Sequence, residues 1–182
     1  MNYLFVGLGN PGKKYEKTRH NLGWRVVDCL SEKTGIKNFK KENKFNAFVA
    51  IGEFSGQKII LAKPLLYMNN SGQSVRAISD YFKIVPEDII VVHDEIDLPL
   101  GEIKIQENIS SAGHKGVQSI IDRLKTNEFK RVRLGIRPNQ EIIQKTEEFI
   151  LEEFSQEEEK IVEEEIKKAA QLVMAALSSN PC

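Results

Sequence analysis

Apolar positions change their spacing several times along the chain, and each change marks an element. Tyr3-Leu4-Phe5-Val6 is a short run of strand formers. Trp24, Val27 and Leu30 then recur at helical spacing behind Asn21, an expected N-cap, which predicts a helix from Asn21 to about Lys33, stopped by Thr34-Gly35. Ile36 to Phe45 reads as an exposed basic loop. Phe45–Phe54 and Lys58–Ala62 are apolar and strand-like, joined through Ser55-Gly56-Gln57, a hairpin that Pro64 ends.

Helical spacing returns at Val75, Ile78 and Phe82, after a polar connection, Met68-Asn69-Asn70-Ser71-Gly72, that supplies caps. Ile89-Ile90-Val91-Val92 is apolar without alternation, as in a strand buried on both faces of a central sheet. Gly101 to Gln106 alternates as a further strand. Val117, Ile120, Ile121 and Leu124 make one helical face, and Val132, Leu134 and Ile136 a last strand. From Ser155 a Glu-rich helix sets Val162, Ile166, Ala169, Val173 and Leu177 on one side, with its glutamates expected in solvent. The alternation of strands and helices predicts α/β: a single domain over residues 1–182, with a twisted mixed β-sheet flanked by helices and a C-terminal amphipathic helix.

Composition narrows the function class. At 182 residues and 41% hydrophobic content the chain is long enough for one core. No apolar stretch is long enough to span a bilayer, and Met1-Asn2-Tyr3-Leu4 enters a strand without a signal-like region, so a cytoplasmic protein with no membrane partner is expected. Cys29 and Cys182 offer neither a disulfide framework nor metal-ligand spacing. The formal charge of zero conceals a division. Residues 1–140 hold 22 Lys and Arg against 15 Asp and Glu, and residues 141–182 hold 4 against 11. The body is therefore basic, with Lys13, Lys14, Lys17 and Arg19 in one cluster and Lys130, Arg131, Arg133 and Arg137 in another, as suits either a solvated surface or a polyanion.

The richest chemistry lies between Val6 and Gly23. Gly7, Gly9 and Gly12 have the spacing of a dinucleotide loop, but no helix opens at the last glycine to hold a pyrophosphate; the glycines are expected to turn the chain at the strand end. His20, His93 and His114 all fall at expected strand ends or helix starts. None belongs to a His-Glu-x-x-His motif, so no metal is expected, and Ser71 and Ser74 lack a nucleophile elbow. What remains is a histidine base held by a carboxylate. His20 is the candidate base and Asp94, capping the core strand, its candidate partner; Asn10 and Asn69 are amide donors for a substrate carbonyl, or else turn and cap residues.

Gly7-Leu8-Gly9-Asn10-Pro11-Gly12 with Tyr15 and Thr18-Arg19-His20-Asn21, then Lys63-Pro64 with Met68-Asn69-Asn70-Ser71-Gly72, then Asp94-Glu95-Ile96-Asp97-Leu98 and Ala112-Gly113-His114, closely resemble bacterial-type peptidyl-tRNA hydrolase. The four blocks stand in the right order and span nearly the whole chain. The resemblance implies a monomeric esterase that frees tRNA from peptidyl-tRNA, without metal or cofactor. It implies His20 and Asp94 as the catalytic pair, and Asn10, Tyr15, Met68, Asn69 and Lys115 along the substrate cleft. Arg133 and Lys104 are implied as tRNA contacts. Lys115 stands where the family motif has asparagine, which either puts an ammonium in the cleft within reach of the reacting ester or points a long side chain out to solvent, and Gln106 stands where a second phosphate-gripping lysine is common. An alternative from another class is a non-hydrolytic RNA-binding relative of the same fold; His20, Asp94, Asn10 and Asn69 speak against it.

Overall fold

A computed structural model describes residues 2–138 and 145–178; Met1 and Cys182 lie outside the described residues. β1 (Asn2–Gly7) sits near the middle of the sheet, parallel to β4 (Gln57–Pro64) on one side and to β5 (Ile89–Pro99) on the other. β5 is in turn parallel to β7 (Lys130–Arg137). Antiparallel strands finish both edges: β3 (Ala47–Phe54) and β2 (Lys40–Glu42) beyond β4, and β6 (Ile103–Gln106) beyond β7. The order is β2-β3-β4-β1-β5-β7-β6, the expected mixed sheet.

Alternation along β1 sends Tyr3 and Phe5 to one face and Leu4 and Val6 to the other. The first face is covered by α1 (Leu22–Thr34) and α5 (Gln156–Ser178), through Val26, Val27, Leu30, Val162 and Ala169. The second is covered by α2 (Ser71–Phe82) and α3 (Lys115–Leu124), through Val75, Ile78, Val117 and Ile120. A single turn, α4 (Thr146–Phe149), leads into α5. No helix among the described residues is long and apolar enough to cross a membrane.

Several expectations change in physical detail. The expected basic loop from Ile36 to Phe45 contains β2 and buries both of its end residues, because an edge strand needs only a neighbour with free backbone groups. Ser55 and Gly56 alone make the hairpin turn, at φ 52° and 72°, the left-handed pair of a two-residue connection. Gly7 and Gly23 serve close approach: a Cβ on Gly7 would meet the Gly23 carbonyl oxygen at 2.3 Å, and one on Gly23 would meet that of Val92 at 2.3 Å. The first turn of α1 thus rests directly on the end of β1 and on β5 at Val92. Among these loop glycines the left-handed turn falls to Gly12, at φ 112°.

Two charged side chains expected in solvent are buried. Arg131 shares the α3-side face of β7 with Arg133 and is 1% exposed. Burial, followed by repulsion from Arg133, lowers its pKa to about 10 against the pull of Glu95. Glu165 is 3% exposed, since it follows Val162 by three residues and precedes Ala169 by four, which puts it on the buried stripe of α5. The other five residues expected on that stripe are buried as well.

Candidate active site

The site forms where β1 and β5 part. Their pairing ends at Gly7 and Val92, and the Leu8 N–H closes on the Val92 carbonyl at 2.9 Å. β5 does not stop there, as a capping Asp94 would require; it runs on to Pro99 because β7 still pairs with it through Glu95. Asp94 therefore lies inside a strand with one flank vacated by β1, and two histidines enter that flank.

His20 Nδ1 lies 3.0 and 2.9 Å from the two carboxylate oxygens of Asp94, and His114 Nε2 lies 3.1 Å from Oδ1. His114 is the N-cap of α3: its Nδ1 accepts the Gly116 and Val117 N–H groups at 3.1 and 3.3 Å. With Nδ1 an acceptor, the ring proton belongs on Nε2, which donates to Asp94. Behind them buried His93 donates Nδ1–H to the Asp94 carbonyl at 2.7 Å. Burial, then the neighbouring His114, hold the pKa of His93 well below the usual imidazole range, against the pull of Asp94. For Asp94, burial alone would raise the pKa. The charges and hydrogen bonds of His20 and His114 outweigh it and keep the carboxyl well below the ordinary range. His20 Nδ1 thus donates to a carboxylate, leaving Nε2 for the cavity that His20 lines.

The base is fixed from the far end of the chain. His20 lies on a 3-10 turn, Arg19–Asn21, whose Arg19 and His20 N–H groups donate to the carbonyls of Glu152 and Ile150 at 3.0 and 2.9 Å. The buried Arg19 guanidinium lies against the Phe149 and Phe154 rings and donates two hydrogen bonds to Glu158, at 3.1 and 3.0 Å.

Asn21, expected as a helix cap, makes no cap bond. Its side-chain amide instead clasps the backbone of Asn10, accepting the N–H and donating to the carbonyl, both at 2.9 Å. Asn10 Oδ1 accepts the Met68 N–H at 2.9 Å, so the amide's Nδ2 is the part left toward the cavity. Met68 is buried, with its sulfur where a Cβ on Gly116 would come within 2.4 Å. These groups, exposed Asn69 and the α4 segment surround a cavity of about 640 Å³, the size of a small-ligand cleft.

Three expected residues, Tyr15, Arg133 and Lys104, stand apart from this group, whereas Lys115 lines the cavity together with Glu147. Tyr15 is half-buried and does not line the cavity; Tyr67, 60% exposed, does. The Lys115 ammonium lies on Glu147 at 2.6 Å, a pair between α3 and α4 in which both residues line the cavity. Arg133 is mostly buried and bound to Glu95 at 2.9 Å, with Gln106 Oε1 accepting its Nη1. Lys104 is exposed, 4.0 Å from Glu102. Sequence reasoning named His114 only among three histidines at element ends and Asn21 only as a cap, without their roles at the site, and missed Tyr67. For His114 the available signal was its place at the start of a helical pattern, where a side-chain acceptor is wanted.

His20, Asp94 and His114 bring three possible ligand atoms within 4.8 Å, which is a metal-like spacing. Their donors are already committed: both imidazoles face the carboxylate through N–H, and the other nitrogen of His114 caps α3. The set suits a hydrogen-bonded base better than a metal.

A sequence model of the peptidyl-tRNA hydrolase family matches residues 4–181. The chain is 44% identical to the peptidyl-tRNA hydrolase of Aquifex aeolicus (strain VF5) over 98% of its own length and 91% of the relative's. It is 42% identical to that of Bacillus subtilis (strain 168), over 96% and 92%. The crystal structure of peptidyl-tRNA hydrolase from Acinetobacter baumannii superposes with a TM-score of 0.90 at 33% identity, covering 97% of this chain and 88% of that one. By sequence and by fold, the chain belongs to the peptidyl-tRNA hydrolase family.

Proposed function

We propose that this chain hydrolyses the ester between a peptide and the terminal ribose of tRNA, with His20 as general base. The observation that carries this reading is the His20–Asp94 contact, which takes up Nδ1 of a histidine lining the same cavity as Asn10. Nε2 takes a proton from water as the water oxygen bonds to the ester carbon. Asp94 holds the ring orientation and stabilises the imidazolium that forms. The carbonyl oxygen becomes an oxyanion that Asn10 Nδ2 and Asn69 meet as donors. Collapse expels the ribose oxygen, which takes the proton back from His20. His114 keeps the second side of Asp94 occupied, so that the carboxylate stays ionised and fixed.

Met68 shapes the peptide side of the cleft, and Tyr15, with Lys14 over its ring at 4.8 Å, the approach of the tRNA 3′ end. Lys104 and Arg133 serve the tRNA body, with Arg133 aimed by Glu95 and Gln106. The proposed chemistry calls on no second copy, and we read the protein as a monomer acting where ribosomes make its substrate, in the cytoplasm. The test is release of N-acetyl-aminoacyl from tRNA by wild type and by His20→Ala, with free aminoacyl-tRNA as control. Hydrolysis that needs the blocked amine and His20 supports the reading; none by wild type leaves the non-hydrolytic RNA-binding relative.

A further inference from the structure

The wall of the cleft that Asn69 forms does not close. A second hollow, of about 410 Å³, shares Asn69 with the catalytic cavity and continues over Asn70, Ser119, Asp122, Arg123 and Lys125. It lies where α2 begins against α3. There the Gly72 N–H donates to Ser119 Oγ at 3.0 Å, and a Cβ on Gly72 would meet the Ser119 carbonyl oxygen at 2.0 Å. The helices are thus as close as their backbones allow, and the hollow has a rigid floor.

Its charge is unbalanced. Asp122 accepts a hydrogen bond from Gln118 at 2.8 Å. Exposed Arg123 and Lys125 enter none of the ion pairs found among the described residues. The hollow therefore carries two cations against one carboxylate, beside the residue that borders the reacting ester.

We propose that this hollow is a subsite for the stretch of peptide upstream of the scissile ester, and that Arg123 and Lys125 favour carboxylate-bearing side chains there. It rests on the peptidyl-tRNA reading and adds a substrate preference to it. Two arms leave a substrate whose ester carbon lies at His20, one peptide and one RNA. The amides of Asn69 and Asn70 and the Ser119 hydroxyl suit the backbone of an extended peptide, which has a donor and an acceptor at each residue. No aromatic ring lines the hollow for a base to stack on, and Asp122 opposes a chain of phosphates.

The experiment uses tRNAs carrying N-acetylated tripeptides that differ only in the residue farthest from the ester, Asp, Asn or Lys, with N-acetyl-aminoacyl-tRNA as a substrate too short to reach past Asn69. Wild type and the double variant Arg123→Gln, Lys125→Gln are compared by kcat/KM at low and high salt. The expected result is a wild-type order of Asp over Asn over Lys, up to about fivefold between the extremes as exposed ion pairs give, shrinking with salt and absent in the variant. Equal rates for the three tripeptides would overturn the subsite. So would a loss in the variant that is the same for the short substrate, which would assign the two cations to tRNA phosphates. No hydrolysis of any substrate by wild type would sink the parent reading, and the subsite with it.

Discussion

Glu165 offers a test in which a single proton is read out as stability. Its carboxyl is 3% exposed and neither oxygen has a hydrogen-bond partner. Burial pushes its pKa from 4.5 up to about 8; the nearby backbone of Gly101 and Gly135 offsets only part of this, and the Gly135 N–H is already given to the Glu102 carbonyl at 2.8 Å. In the unfolded chain the group ionises near the ordinary value, whereas the folded chain keeps the proton to about pH 8. Between those values unfolding releases a proton, so stability falls as pH rises, by about 1.4 kcal/mol per unit, and levels off above the folded pKa. At pH 7 the loss amounts to about 3 kcal/mol, a large share of the roughly 5–15 kcal/mol that holds a domain folded. Glu165→Gln keeps the shape and removes the titration, and any cost of its own buried amide is the same at every pH. Urea unfolding of both proteins from pH 5 to 8 is expected to show the variant gaining on wild type by about 4 kcal/mol across that range. Parallel stability curves would refute the reasoning, because they would mean that the carboxyl ionises alike in both states.

His20→Ala is expected to lower kcat by about 10²–10⁴ with no change in tRNA binding, and a variant retaining more than about a tenth of the rate would show that another group is the base. Asn21→Ala should lower kcat while leaving α1 intact by circular dichroism, since it frees the Asn10 backbone and caps nothing; unchanged turnover would mean that Asn10 holds its place unaided. Arg133→Ala strands the buried Glu95 carboxylate and is expected to destabilise the fold by about 3–5 kcal/mol, with Glu95→Gln restoring much of it. An unaltered melting temperature in the single variant would count against that pair, and any weaker tRNA binding has to be measured well below melting. Lys115→Asn should leave stability nearly unchanged, because both members of the pair with Glu147 are exposed, and should keep most activity. A tenfold fall in kcat would return the ammonium to the reacting atoms.

What could be read from the sequence was whatever depends on local periodicity. The unbroken apolar run Ile89–Val92 became a strand with parallel neighbours on both sides, and the stripe on α5 is buried as spaced. His20 and Asp94 meet as their chemistry suggested, 74 residues apart in sequence. What failed depends on what lies on the far side of an element. Alternation sets Arg131 and Arg133 opposite Val132 and Leu134, but it does not reveal that buried Glu95 meets Arg133 on that face. Glu165 was misread because residue type was allowed to outweigh its place on the stripe. Asn21 had the chemistry of a cap, and only the fold supplied Asn10 as a competing partner.

The contacts that fix the base have a consequence for the order in which the molecule is made. A chain leaves the ribosome N-terminus first, and His20 is among its earliest residues. Its backbone acceptors, Ile150 and Glu152, and Glu158, which clasps Arg19, are among the later ones. The imidazole and the carboxylate can emerge and meet, yet the turn that carries the imidazole has no seat until Ile150, Glu152 and Glu158 have followed. An enzyme built this way cannot hold its base in working geometry until residues as many as 139 positions beyond the turn have joined the fold.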